Sequence, residues 1–272
     1  MLYNLIIGKD SNLSKYISKQ ASNCFLVSAR EILNDVNTLV TFKEKKINII
    51  FNNFQPSREL NNLKSPTAYV SNAMLVTSIV LEFFKDTDIN KIIYTSSSSV
   101  YGNNILCKES DELKPMSLHA SLKVANEQLI KKYCSDYNID YTITRVFNMY
   151  GGDDQFSVIS KIINAYLGHE KLTIVNNGNA IRDFIHIDDV VSIYMRILEI
   201  NNINVLNIGS GYGSSIKNIL DSLFNKGVVV NINNIFRDEL NISTADISLL
   251  QDIIKKKEFI NINNYLNEKL KL

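Results

Sequence analysis

Leu2-Tyr-Asn-Leu-Ile-Ile7-Gly8-Lys-Asp-Ser11-Asn-Leu13-Ser14 is the stretch on which the fold turns. Six mostly apolar residues, a glycine and two small hydroxyl residues read as a buried strand, a tight turn and the start of a helix over Leu13–Gln20. Outward from it the rhythm repeats. Cys24–Ser28 and Ile47–Phe51 read as further strands, with helical spacing over Val36–Lys45 between them. Tyr69–Phe84 places Val70, Ala73, Leu75, Val76, Ile79, Val80 and Phe83 at mixed three- and four-residue intervals, which predicts a helix buried on a broad face. Lys91–Tyr94 reads as a strand, Ser121–Tyr137 as a helix and Tyr141–Val146 as a strand. Short β-runs separated by helices require right-handed crossovers, so the expected fold class is α/β, a Rossmann-type doubly wound parallel sheet.

After about residue 150 the alternation loosens. Phe156–Leu167 and Asp188–Leu198 look helical, and Leu172–Val175 and Val205–Ile208 look extended. Residues 1–150 are therefore expected to form the Rossmann domain, which also receives elements from about 180–210. Residues 151–272 are expected to form a smaller, interleaved C-terminal substrate lobe. In open sheets of this kind the ligand crevice lies beyond the C-terminal strand ends, so the loops after each strand carry the functional reading.

Composition narrows the class. With 272 residues, 45% of them hydrophobic, the chain can bury a large core. A net charge of +1, from 29 basic and 28 acidic residues, argues against a nucleic-acid partner held by counterion release. Cys24, Cys107 and Cys134 lack metal-ligand spacing and are odd in number, so a reducing, cytoplasmic setting is expected and no metal. The first residues carry no basic leader or cleavage site, which predicts no signal peptide. The longest apolar run, Ala73–Phe84, contains Thr77, Ser78 and Glu82 and falls short of the roughly 20 residues a membrane span needs.

The turn Gly8-Lys-Asp-Ser11-Asn12-Leu13-Ser14 matches in position a GxxGxxG turn, in which glycines let the backbone approach a pyrophosphate on a helix N-terminus. Serines replace the second and third glycines. Serine is small and donates a hydrogen bond, so the turn reads equally as a phosphate site and as an ordinary serine-capped turn. After the second strand, Arg30 precedes the first acid, Glu31. An arginine there suits the 2′-phosphate of NADP, where a carboxylate would accept from the ribose of NAD. NADP is the expected cofactor, with NAD as the alternative, and a plain surface arginine is the competing reading. Asp35 is placed to approach the adenine, and Asn52 closes the third strand.

Six further segments occur in an order that resembles one family. They are Tyr69-Val-Ser-Asn72; Ile93-Tyr-Thr-Ser-Ser97-Ser98-Ser99-Val-Tyr101-Gly102; Pro115-Met-Ser-Leu-His119-Ala-Ser-Leu-Lys123; Arg145-Val-Phe-Asn148-Met-Tyr-Gly151; Arg182-Asp-Phe-Ile-His-Ile-Asp-Asp189; and Asn207-Ile-Gly-Ser-Gly211. Over about residues 2 to 250 the chain resembles the extended short-chain dehydrogenase/reductases, the NAD(P)-dependent epimerases, dehydratases and 4-ketoreductases of nucleotide sugars. The resemblance implies that Ser97 hydrogen-bonds the sugar oxygen. It implies a Tyr-x-x-x-Lys pair in which tyrosine transfers the proton and lysine holds the nicotinamide ribose. Positions i and i+4 share a helix face, so both reach one cleft. Lys123 fits the lysine, but the tyrosine position is His119.

An imidazole with a reference pKa near 6.5 can exchange a proton near neutrality, and a neighbouring Lys⁺ favours its neutral form, which suits a base better than an acid. Three readings stay open: His119 substitutes chemically, the proton comes from water or a substrate-side residue, or the site is weakened. Tyr101 is a poor substitute, because its counterpart in the family packs or lines the sugar. The family's sugar 4,6-dehydratases carry Asp and Glu where this chain has Ser98 and Ser99, so the resemblance argues against dehydration and makes these serines substrate-lining. It also implies that Asn148 and Arg182 contact the diphosphate and Asn72 the cofactor, with a salt bridge to Asp183 or Asp189 as the alternative for Arg182. His186 with Asp188 and Asp189 reads as a helix cap rather than a metal site. The expected activity is NADPH-dependent reduction of a 4-keto-6-deoxy nucleotide sugar, of the kind made for surface polysaccharides. An NAD-dependent epimerase and a non-catalytic nucleotide-binding member are the alternatives. By resemblance the chain forms a homodimer through Tyr69–Phe84 and Ser121–Tyr137, with neither nucleic acid nor membrane as partner.

Overall fold

The computed structural model describes residues 1–52, 63–255 and 258–272. The chain divides into two compact units. The first comprises residues 1–100, 113–145 and 193–206, and the second residues 101–112, 146–192 and 207–272.

The first unit begins with β1 (Leu2–Ile7), α1 (Asn12–Gln20), β2 (Cys24–Val27), α2 (Ala29–Asn34), a 3-10 segment (Val36–Phe42), β3 (Lys46–Phe51), α3 (Pro66–Phe83) and β4 (Ile89–Ser97). The chain visits the second unit for β5 (Asn104–Cys107) and returns for α4 (Leu118–Tyr137) and β6 (Asp140–Val146). Serine starts the helices: Ser11, Ser65 and Ser117 each accept from the backbone N–H three residues on, and Pro66 stands at the first helical position of α3. Asn138 ends α4 in the left-handed conformation. Where helical spacing predicts a helix over Val36–Lys45, the structure has the 3-10 segment Val36–Phe42, preceded by the short α2. Asp35 breaks them apart by accepting from the Asn37 N–H with its side chain at 2.9 Å.

The strands form a parallel sheet in the order β2-β1-β3-β4-β6, completed by β10 (Val205–Ile208). This is the expected α/β Rossmann-type architecture. Leu5, Ile7, Ile49, Phe51, Ile92 and Tyr94 from the sheet pack with Val76 and Val80 of α3 and Ile130 of α4. Each buried aliphatic side chain contributes about 1.5–3 kcal/mol relative to exposure. Across this apolar sheet runs a ladder of three amides. Asn48 donates to Asn4 Oδ1 at 2.9 Å, and Asn90 donates to Asn48 Oδ1 at 2.8 Å, joining β1, β3 and β4.

The second unit adds β7 (Asn148–Tyr150), α5 (Val158–Leu167), β8 (Leu172–Val175), β9 (Ile181–His186) and α6 (Ile187–Glu199), whose second half belongs to the first unit. It continues with β11 (Gly213–Ser215), α7 (Ile216–Phe224), β12 (Ile232–Ile235), β13 (Ile242–Ala245), α8 (Ser248–Ile254) and α9 (Ile262–Leu270). Its main sheet has the order β11-β9-β13-β5, with β7 also paired to β9.

Tyr150, His186 and Tyr265 pack with ring centroids 5.0–5.2 Å apart. Gly151, at φ +94°, lets the chain pass them: a Cβ there would lie 2.3 Å from His186 Nε2. Gly151→Ala is therefore expected to destabilise the protein by about 2 kcal/mol, from a left-handed backbone and a displaced ring, as read by urea unfolding.

Candidate active site

From β1 the chain turns to β2 on one side and later to β3, β4 and β6 on the other, so the sheet's switch point lies between β1 and β3. The loops beyond their ends carry Gly8 and Asn52. Gly8 takes φ +118°, a conformation that favours glycine, and turns the chain into α1. Asn52 Nδ2 donates to Ser11 Oγ at 3.0 Å and to Ser14 Oγ at 2.8 Å. Because both oxygens already accept, the hydroxyl protons of Ser11 and Ser14 are left to donate, as an anion at a helix N-terminus requires. Asn12 and buried Leu13 form the first turn behind them. The Asn52 side-chain oxygen is buried and accepts no hydrogen bond among the described residues. These residues fit a dinucleotide pyrophosphate.

After β2, Ser28 and Glu31 form a reciprocal cap on α2, with Glu31 accepting from the Ser28 N–H at 2.7 Å and lying 3.7 Å from Lys9 Nζ. Arg30 is exposed in the first turn of α2. Asp35, read from the sequence as an adenine contact, has its Oδ1 engaged by both the backbone N–H and the amide of Asn37. The short α2 that Ser28 starts is what brings Asp35 to this capping position.

His119 and Lys123 stand one turn apart on α4 and line one small recess with Tyr69, Ala73, Tyr94, Leu122 and Asn126. The α3 residues that face it are thus Tyr69 and Ala73 rather than Asn72, which is half-buried. Lys123 is buried; its Nζ donates to the Thr95 carbonyl at 2.8 Å and lies 5.0 Å from the centre of the Tyr94 ring. Burial pulls its pKa down to about 7, against a smaller upward pull from Glu127. Burial and the nearby Lys123 charge lower His119 to about 4. An imidazole of that pKa is neutral at pH 7, so His119 holds almost no proton to give there.

Glu127, one turn beyond Lys123, is wholly buried and bound on both oxygens. Arg145 reaches it at 2.8 and 3.2 Å, and the Ser96 hydroxyl at 2.5 Å. The sequence reading singled out neither residue of this ion pair as a pair, although the four-residue step from Lys123 to Glu127 continues the stripe from His119.

At the end of β4, Ser97 Oγ accepts from the Ser99 N–H at 3.2 Å and from the Ser99 hydroxyl at 3.0 Å. Its own proton is not used in either of these bonds. Ser98 is buried and Ser99 half-buried.

In the second unit, the Tyr101 hydroxyl donates to Asn207 Oδ1 at 2.7 Å. Asn148 donates to the Asp183 carbonyl at 3.1 Å. Arg182 does not pair with Asp183 or Asp189. Its guanidinium meets Glu239 at 3.3 Å and donates to the Leu240 carbonyl. Asp183 instead accepts from the backbone N–H groups of Ser210, Gly211 and Ala245, and Asp189 accepts from that of Ile260. Glu239 lies 57 residues from Arg182, so no local spacing announces the pair. His186 Nδ1 accepts from the Asp188 N–H at 3.2 Å, at the start of α6. Among the described residues no cluster of three His, Cys, Asp or Glu side chains is gathered for a metal, and no helix is long and apolar enough to cross a membrane.

A family model described as "NAD dependent epimerase/dehydratase family" matches residues 10–209. A dTDP-D-glucose 4,6-dehydratase of Dictyostelium discoideum is 31% identical over 200 residues, 68% of this chain and 46% of that protein. A putative UDP-glucose 4-epimerase of Methanocaldococcus jannaschii is 29% identical over 228 residues, 81% of this chain and 72% of that protein. The match spans about half the length of the first two curated relatives, 46% and 53%. Among solved structures, UDP-glucuronic acid 4-epimerase from Bacillus cereus, in complex with UDP-glucuronic acid and NAD, superposes with a TM-score of 0.83 at 23% identity. That match covers 100% of this chain and 98% of the other, and it shows the shared fold.

Proposed function

The chain belongs to the NAD dependent epimerase/dehydratase family, and from that premise we propose that it oxidises and re-reduces one carbon of a nucleotide sugar, as an NAD(P)-dependent 4-epimerase. The observation that carries the reading is the serine turn at the end of β4. Ser97 accepts twice from Ser99, which leaves its hydroxyl proton to donate to a sugar oxygen. Ser98 and Ser99 stand where, by resemblance, dehydratases carry carboxylates. Water elimination needs an acid and a base, and this turn supplies neither. A bound nicotinamide would supply the redox chemistry. Gly8, Ser11, Asn12, Leu13 and Asn52 would hold its pyrophosphate, and Lys123 its ribose. Asn148 and Arg182 are the proposed diphosphate contacts in the second unit. Arg182 would then exchange Glu239 for phosphate oxygens, which a planar, permanently charged fork favours. Asn72 is retained as a proposed cofactor contact from α3.

A second reading, NADPH-dependent reduction of a 4-keto-6-deoxy nucleotide sugar, is favoured by one observation. Glu31 and Asp35 are both engaged in caps, which leaves exposed Arg30 to meet a 2′-phosphate. Under either reading we propose a homodimer built on α3 and α4, whose exposed apolar side chains include Val70 and Leu75 of α3 and Leu118 and Tyr137 of α4.

The test is incubation of the purified protein with NAD⁺ or NADP⁺ and a panel of UDP-, dTDP- and GDP-sugars, with products read by proton NMR. A C4 epimer is expected. Consumption of NADPH with 4-keto sugars alone would favour the reductase. Cofactor binding with neither activity would overturn both readings and leave a binding protein. With a turned-over sugar, Ser97→Ala is expected to lower kcat about 10²-fold with little change in KM.

A further inference from the structure

We propose that Lys123, rather than His119, is the group that exchanges the proton with the sugar oxygen. The inference rests on the function proposed above and deepens it. The expectation that a residue at position 119 carries the proton comes from the phenol that the resemblance places there. The imidazole is shorter than a phenol, and it sits half-buried beside a lysine. Neutral at pH 7, it is protonated in only about one molecule in 10³, and its low pKa makes it a weak base as well.

The groups around Lys123 point the other way. On its own helix stand His119 and Glu127; β4 presents the Thr95 carbonyl and the Tyr94 ring; α3 presents Tyr69; and Arg145 enters from β6. The one carboxylate in this set, Glu127, is bound by Arg145 on both oxygens and by Ser96, so its charge is largely compensated. A buried ammonium that donates to a neutral carbonyl, with its nearest carboxylate already paired, gives up its proton readily. It is then close to evenly divided between amine and ammonium at neutral pH, the condition for both taking and returning a proton.

The recess supplies the path. It joins His119 to Lys123, with Asn126 in its lining. The recess has room for one water beside the half-buried imidazole, in the space that a longer phenol would fill. In the oxidising half of the reaction a bound nicotinamide would take up the C4 hydrogen with its electron pair. The hydroxyl proton passes to the water, the water gives a proton to the Lys123 Nζ lone pair, and the C4=O bond forms. The reducing half reverses each transfer and restores amine and water.

Two measurements test this. In the cofactor-free protein carrying ¹³C-lysine, the Lys123 signal is identified by its loss in Lys123→Arg and titrated by NMR. A midpoint below 8.5, near 7, is expected, and one at 8.5 or above overturns the proposal whatever the substrate proves to be. With a sugar that turns over, kcat for oxidation is expected to rise with pH through about 7. His119→Gln, which cannot titrate, should keep that limb while kcat falls no more than about tenfold. Disappearance of the limb in His119→Gln assigns it to the imidazole and overturns the proposal. Absence of turnover with every sugar strikes the function proposed above, while the NMR titration still judges the lysine.

Discussion

Replacing Arg145 by methionine is expected to destabilise the protein by about 3–5 kcal/mol, the largest loss from any single substitution considered. The guanidinium is 2% exposed and Glu127 is 0% exposed, so the variant leaves a carboxylate in the core that has lost both guanidinium hydrogen bonds and keeps that of the Ser96 hydroxyl. Removing one partner of such a pair is far more damaging than removing both, because desolvation of the survivor is then uncompensated. The double variant Glu127→Leu/Arg145→Met should therefore recover much of the lost stability. Urea unfolding of both single variants and the double, read as a mutant cycle, checks this. A double variant no more stable than Arg145→Met would show that the pair's geometry, rather than its charge balance, holds this part of the core.

Lys123→Met should act in opposite directions on activity and on stability. If Lys123 exchanges the proton, kcat falls about 10²–10⁴-fold. The same change should stabilise the fold, since the ammonium is less favourable in the folded chain, at a pKa of about 7, than in the unfolded chain near 10.4. Below pH 7 the lysine is protonated in both states and the folded protein carries the full penalty, on the order of 4 kcal/mol. As pH rises from 7 towards 10 the folded amine is neutral and the penalty fades. The stability advantage of Lys123→Met over the parent should thus be greatest at pH 6 and small by pH 10, as read by urea midpoints. An advantage independent of pH would mean that side-chain volume, not charge, is responsible. A stabilising change that removes activity is the expected mark of a functional group held in an unfavourable environment.

How much of this could be read in advance depends on the range of the interactions. The strand–helix alternation exposes the parallel sheet because both periodicities are local: Leu2–Ile7, Ile47–Phe51 and Tyr69–Phe84 each declare themselves within a few residues. Helix α2 was hidden, since six residues give too little periodicity, although Ser28 and Glu31 spell a capping box at a three-residue spacing. Lys123 was found by resemblance and His119 by its departure from it. Their company in the recess was not, because Tyr69, Ala73 and Tyr94 come from other elements and only folding brings them there. Glu127 lay within reach of the same four-residue step that located Lys123. Its partner Arg145 comes from the next strand, 18 residues on, and burial of the pair is a tertiary fact. Glu239 was out of reach altogether, as was the compensation of Ser11 and Ser14 by Asn52.

The amide ladder of Asn4, Asn48 and Asn90 bears on how the chain finds its fold. Strands as uniform as Leu5-Ile6-Ile7, Ile49-Ile50 and Ile92-Ile93 can slide past one another by two residues and bury nearly the same hydrocarbon. Such slips are errors that the hydrophobic effect cannot detect. The amides can: in the native alignment Asn4 faces Asn48 and each hands a hydrogen bond along the row, whereas a shifted strand would strand an amide among isoleucines. Three polar side chains at one level of the sheet thus serve as a proofreading mark for strand alignment in a slow, non-local assembly.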